Sequence, residues 1–203
     1  DTAMANTTAT RILIDHHLHP PVDGYAVQFS DTYSCSTSYI VYQLIVALAG
    51  EEAIDQAMAE ALYVGIMTDT GNFSYSDLFR AAAVLIDRGV NVPYVNSSVY
   101  DNFSEGRMRL LGYMLNDKMV TNYRYGVAYV SLTEEDMRRF NFIQGDSEGF
   151  VNIPLSIKNV CFSCFLREDT EKPMIKISLR SVGTFPCNQL AAEFFHGGGH
   201  LNA

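Results

Sequence analysis

Residues 11–17 read Arg-Ile-Leu-Ile-Asp-His-His, a short apolar run followed at once by three polar side chains. The run predicts a buried strand of an α/β sheet. Ligands bind such sheets at the carboxyl ends of the strands, which is where Asp15, His16 and His17 lie. Imidazole nitrogens bind manganese, iron or zinc, and a neighbouring carboxylate orients them or shares the ion. The alternative is a solvated loop that merely contains histidines.

A second candidate metal ligand lies in residues 65–71, which read Gly-Ile-Met-Thr-Asp-Thr-Gly. The carboxylate of Asp69 stands between two hydroxyl side chains and before a glycine, an arrangement typical of a ligand on a tight turn. The same pattern also occurs in turns whose side chains bond only their own backbone. Asp69 is therefore predicted as a ligand, with an ordinary turn as the alternative.

The 203-residue chain reads as two domains joined by a helix. Residues 1–102 are predicted as an α/β domain, residues 103–119 as an amphipathic linker helix, and residues 120–203 as a smaller α/β domain. In the first domain we expect one helix from the hydroxyl cluster at 34–38 to Gly50, a second from Glu51 to Met67, and a third from a Ser74 or Ser76 cap to Arg88. In the second domain we expect a hairpin over residues 120–132, a capped helix starting at Thr133, strands within 159–168 and 172–181, and a helix over 188–195.

Charge and composition exclude several classes of protein. The chain has 14 basic and 23 acidic residues, a net charge of −9, so a broad electrostatic surface for duplex DNA is not expected. No apolar run approaches the ~20 residues of a membrane span. Four cysteines are too few for a disulfide framework in a chain of this size, which predicts a reducing, cytoplasmic environment.

The last strand and the C-terminal segment carry candidate anion ligands. Arg180 ends a predicted strand, where it either clamps a phosphate with two hydrogen bonds or is a routine surface charge. Gly197, Gly198 and Gly199 precede His200, and consecutive glycines let backbone N–H groups reach an anion. A flexible loop is the alternative for this segment.

Together, the Asp-His-His after a strand and the segments GIMTDTGNF, SLRSVG and GGGHLNA resemble the DHH phosphoesterase superfamily. The match is to the branch with a DHH-associated C-terminal domain, and within it to bacterial oligoribonucleases that also release phosphate from 3′-phosphoadenosine 5′-phosphate. This resemblance implies an α/β N-terminal domain with a parallel sheet and a two-metal centre containing Mn²⁺. It also implies a C-terminal domain that binds the nucleotide portion of the substrate, and often a homodimer.

The resemblance also implies individual roles. His16 and Asp69 would be metal ligands, His17 would contact the scissile phosphate, and Asp15 would orient its neighbours. In the second domain the substrate would be held by a set of residues near the C-terminus: Arg180, Gly197, Gly198, Gly199, His200 and, as a weaker candidate, Asn202. The substrate would be a short RNA oligonucleotide or a mononucleotide bisphosphate.

The sequence departs from the family at its start. The family carries a His and a paired-Asp motif before Asp-His-His, whereas the fourteen residues before Asp15 contain only one carboxylate, Asp1. The family also continues beyond the position of Ala203. We therefore expect an internal portion of a longer protein, and we expect the 203-residue chain alone to bind Mn²⁺ poorly and to be inactive.

Two other functions stay open at this stage. One is a cyclic or linear dinucleotide phosphodiesterase, because the motifs are shared across the superfamily. The other is a non-catalytic nucleotide-binding module that has kept the fold and lost the metal ions. A dinucleotide phosphodiesterase would differ from an oligoribonuclease in its preferred substrates. A non-catalytic module would bind nucleotides without hydrolysing them.

Overall fold

The computed structural model describes residues 7–17, 20 and 23–203, so Asp1 lies outside the described residues. The chain divides into two compact units with the boundary between Asp101 and Asn102. In the part of the chain that the structure describes, no helix combines the length and the apolar character needed to cross a bilayer.

The described residues of the first unit form two strands and four α-helices. They are β1 (Ile12–Asp15), β2 (Val27–Ser30), α1 (Thr37–Ala49), α2 (Gln56–Asp69), α3 (Ser76–Asp87) and α4 (Val92–Tyr100). Strands β1 and β2 pair in parallel, with Asp15 opposite Ser30. The helices pack around an apolar core that includes Ile66, Leu78 and Leu85.

Helix α1 has the ends that the sequence predicts. The side chain of Ser36 accepts a hydrogen bond from the backbone N–H of Ser38 at the N-terminus. At the C-terminus Gly50 has φ +82°, a conformation that glycine adopts without steric cost. The prediction from the hydroxyl cluster and the glycine is confirmed.

The predicted bounds of α2 and the predicted side-chain cap of α3 are wrong, whereas the predicted extent of α3 agrees with its observed range, Ser76–Asp87 with Arg88 as C-cap. Only a short 3₁₀ turn spans Glu51–Ala53, and α2 starts after Asp55, whose carboxylate accepts a hydrogen bond from the N–H of Met58 at 2.8 Å. Helix α2 also continues through Asp69, two residues further than predicted. Neither candidate serine caps α3, because its N-cap is Tyr75 and no side chain bonds the first turn.

The second unit is built on a four-stranded sheet in the order β3-β4-β5-β6. Its elements are α5 (Glu105–Tyr113) with a π-helical turn (Met114–Lys118), β3 (Val120–Asn122), β4 (Val127–Leu132), α6 (Glu134–Arg139), a 3₁₀ helix (Phe150–Ser156), β5 (Phe162–Glu168), β6 (Ile175–Ser181) and α7 (Cys187–Phe195). Strands β4 and β5 are parallel and the other two pairs are antiparallel. The helix predicted as a linker contributes Leu110 and Met114 to the core of this unit.

Asp136 joins three elements of the second unit. It belongs to the predicted capping box of α6, in which its carboxylate accepts from the N–H of Thr133 at 3.0 Å. The same carboxylate accepts from the hydroxyl of Tyr113 at 2.8 Å and pairs with the ammonium group of Lys118 at 2.7 Å. Burial raises the pKa of Asp136, but the bonds from Lys118, Thr133 and Tyr113 outweigh burial and lower it to about 2.

We predict that Asp136→Asn destabilises the protein by about 2 kcal/mol at pH 7, the free energy that corresponds to lowering the pKa from 3.8 to about 2. Because the folded-state pKa lies below the unfolded value, this stability is present above about pH 4 and is lost as the pH falls toward 2. Urea unfolding at pH 7 and pH 3 measures the difference. Glu135→Gln, an exposed neutralisation on the same helix, is the control, and equal effects of the two variants at pH 7 would contradict the prediction.

Candidate functional site

Strand β1 ends at Asp15 and places two histidines in different environments. The side chain of His16 is only 9% exposed, whereas that of His17 is largely exposed. The Nδ1 atom of His16 lies 3.3 Å from the backbone carbonyl oxygen of Ser34, in the segment before α1. A carbonyl oxygen only accepts hydrogen bonds, so Nδ1 of His16 is the donor in this contact.

The structure brings His16 and Asp69 together. The Nε2 atom of His16 lies 3.4 Å from Oδ2 of Asp69, which occupies the last turn of α2. The carboxylate of Asp69 is 43% exposed, so it is accessible from solvent. An imidazole whose Nδ1–H is held by a carbonyl and whose Nε2 faces a carboxylate has the arrangement of a metal-binding histidine with its supporting bond.

The turn after Asp69 has an unusual backbone. Gly71, Asn72 and Phe73 all have positive φ, at +59°, +61° and +61°. Such a conformation is strained for an aromatic residue, and strain of this kind is concentrated at functional sites. The buried hydroxyl of Thr70 holds the turn, because it donates to the carbonyl of Ile66 at 2.7 Å and accepts from the N–H of Phe73 at 3.1 Å.

A contact from α4 also supports this turn. The hydroxyl of Tyr100 donates to the side-chain oxygen of Asn72 at 3.0 Å. Sequence reasoning did not identify Ser34, Thr70 or Tyr100. The Thr-Gly-Asn stretch after Asp69 is a turn signal that could have identified Thr70. By contrast, no local pattern links Tyr100 to Asn72, which is 28 positions away.

His17 forms a close pair with Asp15. Its Nδ1 atom lies 2.6 Å from Oδ1 of Asp15. The hydrogen bond from His17 lowers the pKa of Asp15, and this outweighs the opposing effect of burial. A carboxylate on Nδ1 fixes the orientation of the His17 ring.

In the second unit, Arg180 and the glycine segment lie at one cleft of about 250 Å³. Its lining includes Arg180, Phe195, Gly197 and Gly198. A Cβ at Gly198 would meet no atom within 4 Å, so the fold itself does not require glycine there. By contrast, Gly199 has φ +141° and a Cβ there would collide with the carbonyl oxygen of Ala203, which makes it a structural glycine.

His200 and Asn202 follow the glycines in a C-terminal turn. His200 is partly buried, and its carbonyl accepts from the N–H of Ala203 at 3.0 Å. The amide group of Asn202 donates to Ser181 Oγ at 2.8 Å and to the carbonyl of Gly183 at 3.1 Å. These bonds give Asn202 a structural role that the sequence did not reveal, and its contact with substrate stays a prediction.

A solved structure shares the fold of this chain. No protein-family model matches the chain. The chain is 50% identical to an exopolyphosphatase-related protein from Bacteroides fragilis, whose crystal structure matches with a TM-score of 0.90 over 98% of this chain and 58% of that one. This likeness confirms the predicted α/β fold.

Several curated relatives carry the names of enzymes. The chain is 29% identical over 196 residues to the bifunctional oligoribonuclease and PAP phosphatase NrnA of Thermus thermophilus, which covers 95% of this chain and 56% of that protein. It is 25% identical over 198 residues to the cyclic-di-AMP phosphodiesterase GdpP of Bacillus subtilis, which covers 94% of this chain and 28% of that protein. The chain therefore spans little more than half the length of the first of these relatives.

Proposed function

Because the chain resembles the NrnA-type phosphoesterases of the DHH superfamily over most of its length, we propose that the protein hydrolyses phosphoester bonds of short nucleotides with divalent metal ions. Its substrates would be short oligoribonucleotides, attacked from an end, and the 3′-phosphate of adenosine bisphosphate. The observation that carries the proposal is the 3.4 Å approach of His16 Nε2 to Asp69 Oδ2, supported behind the ring by the carbonyl of Ser34.

His16 and Asp69 are the residues that would hold a divalent ion, and we propose Mn²⁺, with a second ion beside it. One nitrogen and one carboxylate oxygen are a donor set that suits Mn²⁺. Ions bound there would lower the pKa of a water molecule and offset the charge of the phosphate. The protein's own contribution is to fix the orientation of His16 through Ser34 and to end α2 so that Asp69 faces the ring.

His17 would act on the phosphate directly. Its exposed ring, oriented by Asp15, is placed to donate a hydrogen bond to a phosphate oxygen and to stabilise charge that develops there. Asp15 is then a positioning residue, since its carboxylate is engaged with His17.

The second unit would bind the nucleotide. Arg180 is suited to a phosphate, the backbone at Gly197 and Gly198 to a close approach of ligand, and Phe195 to an apolar or stacking contact with a base. Local cations and metal ions would attract the anionic substrate, which is compatible with a net charge of −9. We propose that duplex DNA is not a substrate for the same reason.

We predict that the complete protein with Mn²⁺ releases mononucleotides from the dinucleotide pApA and inorganic phosphate from 3′-phosphoadenosine 5′-phosphate. Rates would be compared by chromatography with those for cyclic di-AMP and for long single-stranded DNA. The expected order is pApA and the bisphosphate first, the cyclic dinucleotide slower, and long DNA slowest. Preferred cleavage of long DNA would contradict the proposal.

The similarity to GdpP favours a second candidate, a cyclic-dinucleotide phosphodiesterase. Faster hydrolysis of cyclic di-AMP than of pApA would support it. Binding of the nucleotides without hydrolysis of any of them, with Mn²⁺ present, would instead support a non-catalytic nucleotide-binding module.

We also propose that the protein works in the reducing cytoplasm. All four cysteines, which are Cys35, Cys161, Cys164 and Cys187, are free thiols. A homodimer stays a prediction from the family resemblance, and sedimentation analysis of the complete protein tests it.

A further inference from the structure

The last turn of α2 carries Asp69 and is closed by a backbone motif. Gly71 has φ +59°, and the N–H of Asn72 donates to the carbonyl of Met67 at 3.1 Å. This is the Schellman arrangement, in which a left-handed residue after the helix lets the next N–H satisfy a carbonyl of the last turn. Asp69 lies between the two ends of this bond, in the helix's final position. The placement of its carboxylate therefore depends on the turn staying closed.

Two features of the closed turn are energetically unfavourable. Asn72 and Phe73 both have φ +61°, and the left-handed conformation is disfavoured for an aromatic residue above all. Asp69 also places a negative charge at the C-terminal end of α2, where the helix dipole is itself negative. Both features favour opening of the turn, so a contact that keeps it closed also keeps Asp69 in place.

Contacts from side chains hold the turn on two sides. Phe73 is buried, and the centre of its ring lies 4.9 Å from that of Tyr63. On the other side the hydroxyl of Tyr100, the last residue of α4, donates to the side-chain oxygen of Asn72 at 3.0 Å. This bond ties the end of α4 to the residue whose N–H closes the last turn of α2.

We propose that Tyr100 is a positioning residue for the metal centre, because its bond to Asn72 keeps the last turn of α2 closed and so holds Asp69 facing His16. The inference rests on the proposed function, since it takes Asp69 to be a metal ligand. When the bond is lost, a smaller fraction of the molecules has Asp69 in place. The apparent affinity for the ion falls by the same factor, whereas the chemistry of a molecule that has bound the ion is unchanged.

Tyr100→Phe tests the inference, because it removes only the hydroxyl group. In calorimetry on the complete protein it should weaken Mn²⁺ binding about fivefold, the factor that corresponds to one hydrogen bond of ordinary strength. The rate of pApA hydrolysis at saturating Mn²⁺ should stay within about twofold of the wild-type rate, so that added Mn²⁺ rescues the variant. Tyr94→Phe makes the same change at an exposed position of the same helix and is the matched control, which should alter neither quantity.

A second substitution tests whether Tyr100 acts through Asn72. Asn72→Gly removes the hydrogen-bond acceptor, and glycine adopts the left-handed conformation without strain. In the Asn72→Gly background, Tyr100→Phe should have no further effect on Mn²⁺ affinity, because the two residues act as one unit. An undiminished loss in that background would overturn the inference.

Amide hydrogen exchange in the metal-free protein provides a readout without activity. The N–H of Asn72 and that of Phe73, which donates to Thr70 Oγ1 at 3.1 Å, should exchange faster in Tyr100→Phe than in the wild type and the Tyr94→Phe control. Unchanged exchange at these two amides, or an unchanged Mn²⁺ affinity, would overturn the inference. Faster exchange throughout α2 and α4 with a lower melting temperature would also overturn it, because the bond would then support the whole fold.

Mn²⁺ binding separates this inference from the proposed function. Weaker Mn²⁺ binding in Tyr100→Phe, in a protein that hydrolyses no nucleotide, would support the positioning role and contradict the proposed function. Hydrolysis by the wild type, with equal Mn²⁺ affinity in the wild type and Tyr100→Phe, would do the reverse. A wild type that binds no Mn²⁺ would overturn both.

Discussion

His16→Asn and Asp69→Asn should each reduce the hydrolysis of pApA more than about 100-fold, because each would remove a proposed metal ligand. Replacing a residue that only supports a ligand already costs about 10–100-fold in activity or metal affinity. Both variants should also weaken Mn²⁺ binding measured by calorimetry. His16→Asn should have one effect beyond the loss of Mn²⁺ binding. His16 is buried and its ring also contacts the Ser34 carbonyl, so its replacement additionally releases the segment before α1.

The matched controls are His196→Asn and Asp87→Asn. His196 follows α7 with φ +54°, a conformation that asparagine also adopts, and Asp87 is exposed at the end of α3. Both should leave hydrolysis and Mn²⁺ affinity unchanged. Wild-type Mn²⁺ affinity in both site variants would show that His16 and Asp69 are not ligands.

His17→Ala should slow hydrolysis of pApA about 100-fold at saturating Mn²⁺, the lower range of what a positioned proton donor contributes. Its Mn²⁺ affinity should change only a few-fold, because the role that we propose for His17 is contact with the phosphate and not with the metal ions. The split between rate and metal affinity therefore distinguishes His17 from His16.

Asp15→Asn tests whether Asp15 acts by positioning His17. Asparagine retains an oxygen that accepts from Nδ1 of His17 but removes the charge, so the rate should fall less than in His17→Ala. Combining the two substitutions should cost little more than His17→Ala alone, because Asp15 acts through His17. Additive losses would contradict this positioning role.

Local patterns predicted much of the fold. The caps of α1 at Ser36 and Gly50 and the capping box at Thr133 follow from interactions between residues close in sequence. The strand before Asp15 was predicted correctly, but its predicted burial is wrong, because Ile12 is exposed and the next three residues are only half-buried. The start of α2 was misjudged because Glu51 and Glu52 are good helix formers. The structure ends that short turn before Ile54, which is buried, and Asp55 then caps the helix.

The site itself was only partly predictable. The sequence motifs identified His16 and Asp69, but a local pattern does not show that the end of β1 and the last turn of α2 come within 3.4 Å of each other at these two side chains. The three consecutive positive φ angles at 71–73 were not expected, since only glycine adopts them readily.

The central claim, metal-dependent phosphoester hydrolysis, is tested most directly by the rate of pApA hydrolysis as a function of Mn²⁺ concentration in the complete protein. We predict that the rate is abolished by a chelator, returns on adding Mn²⁺ and reaches a plateau. Hydrolysis that persists undiminished in the chelator, or no hydrolysis at saturating Mn²⁺, would contradict the account.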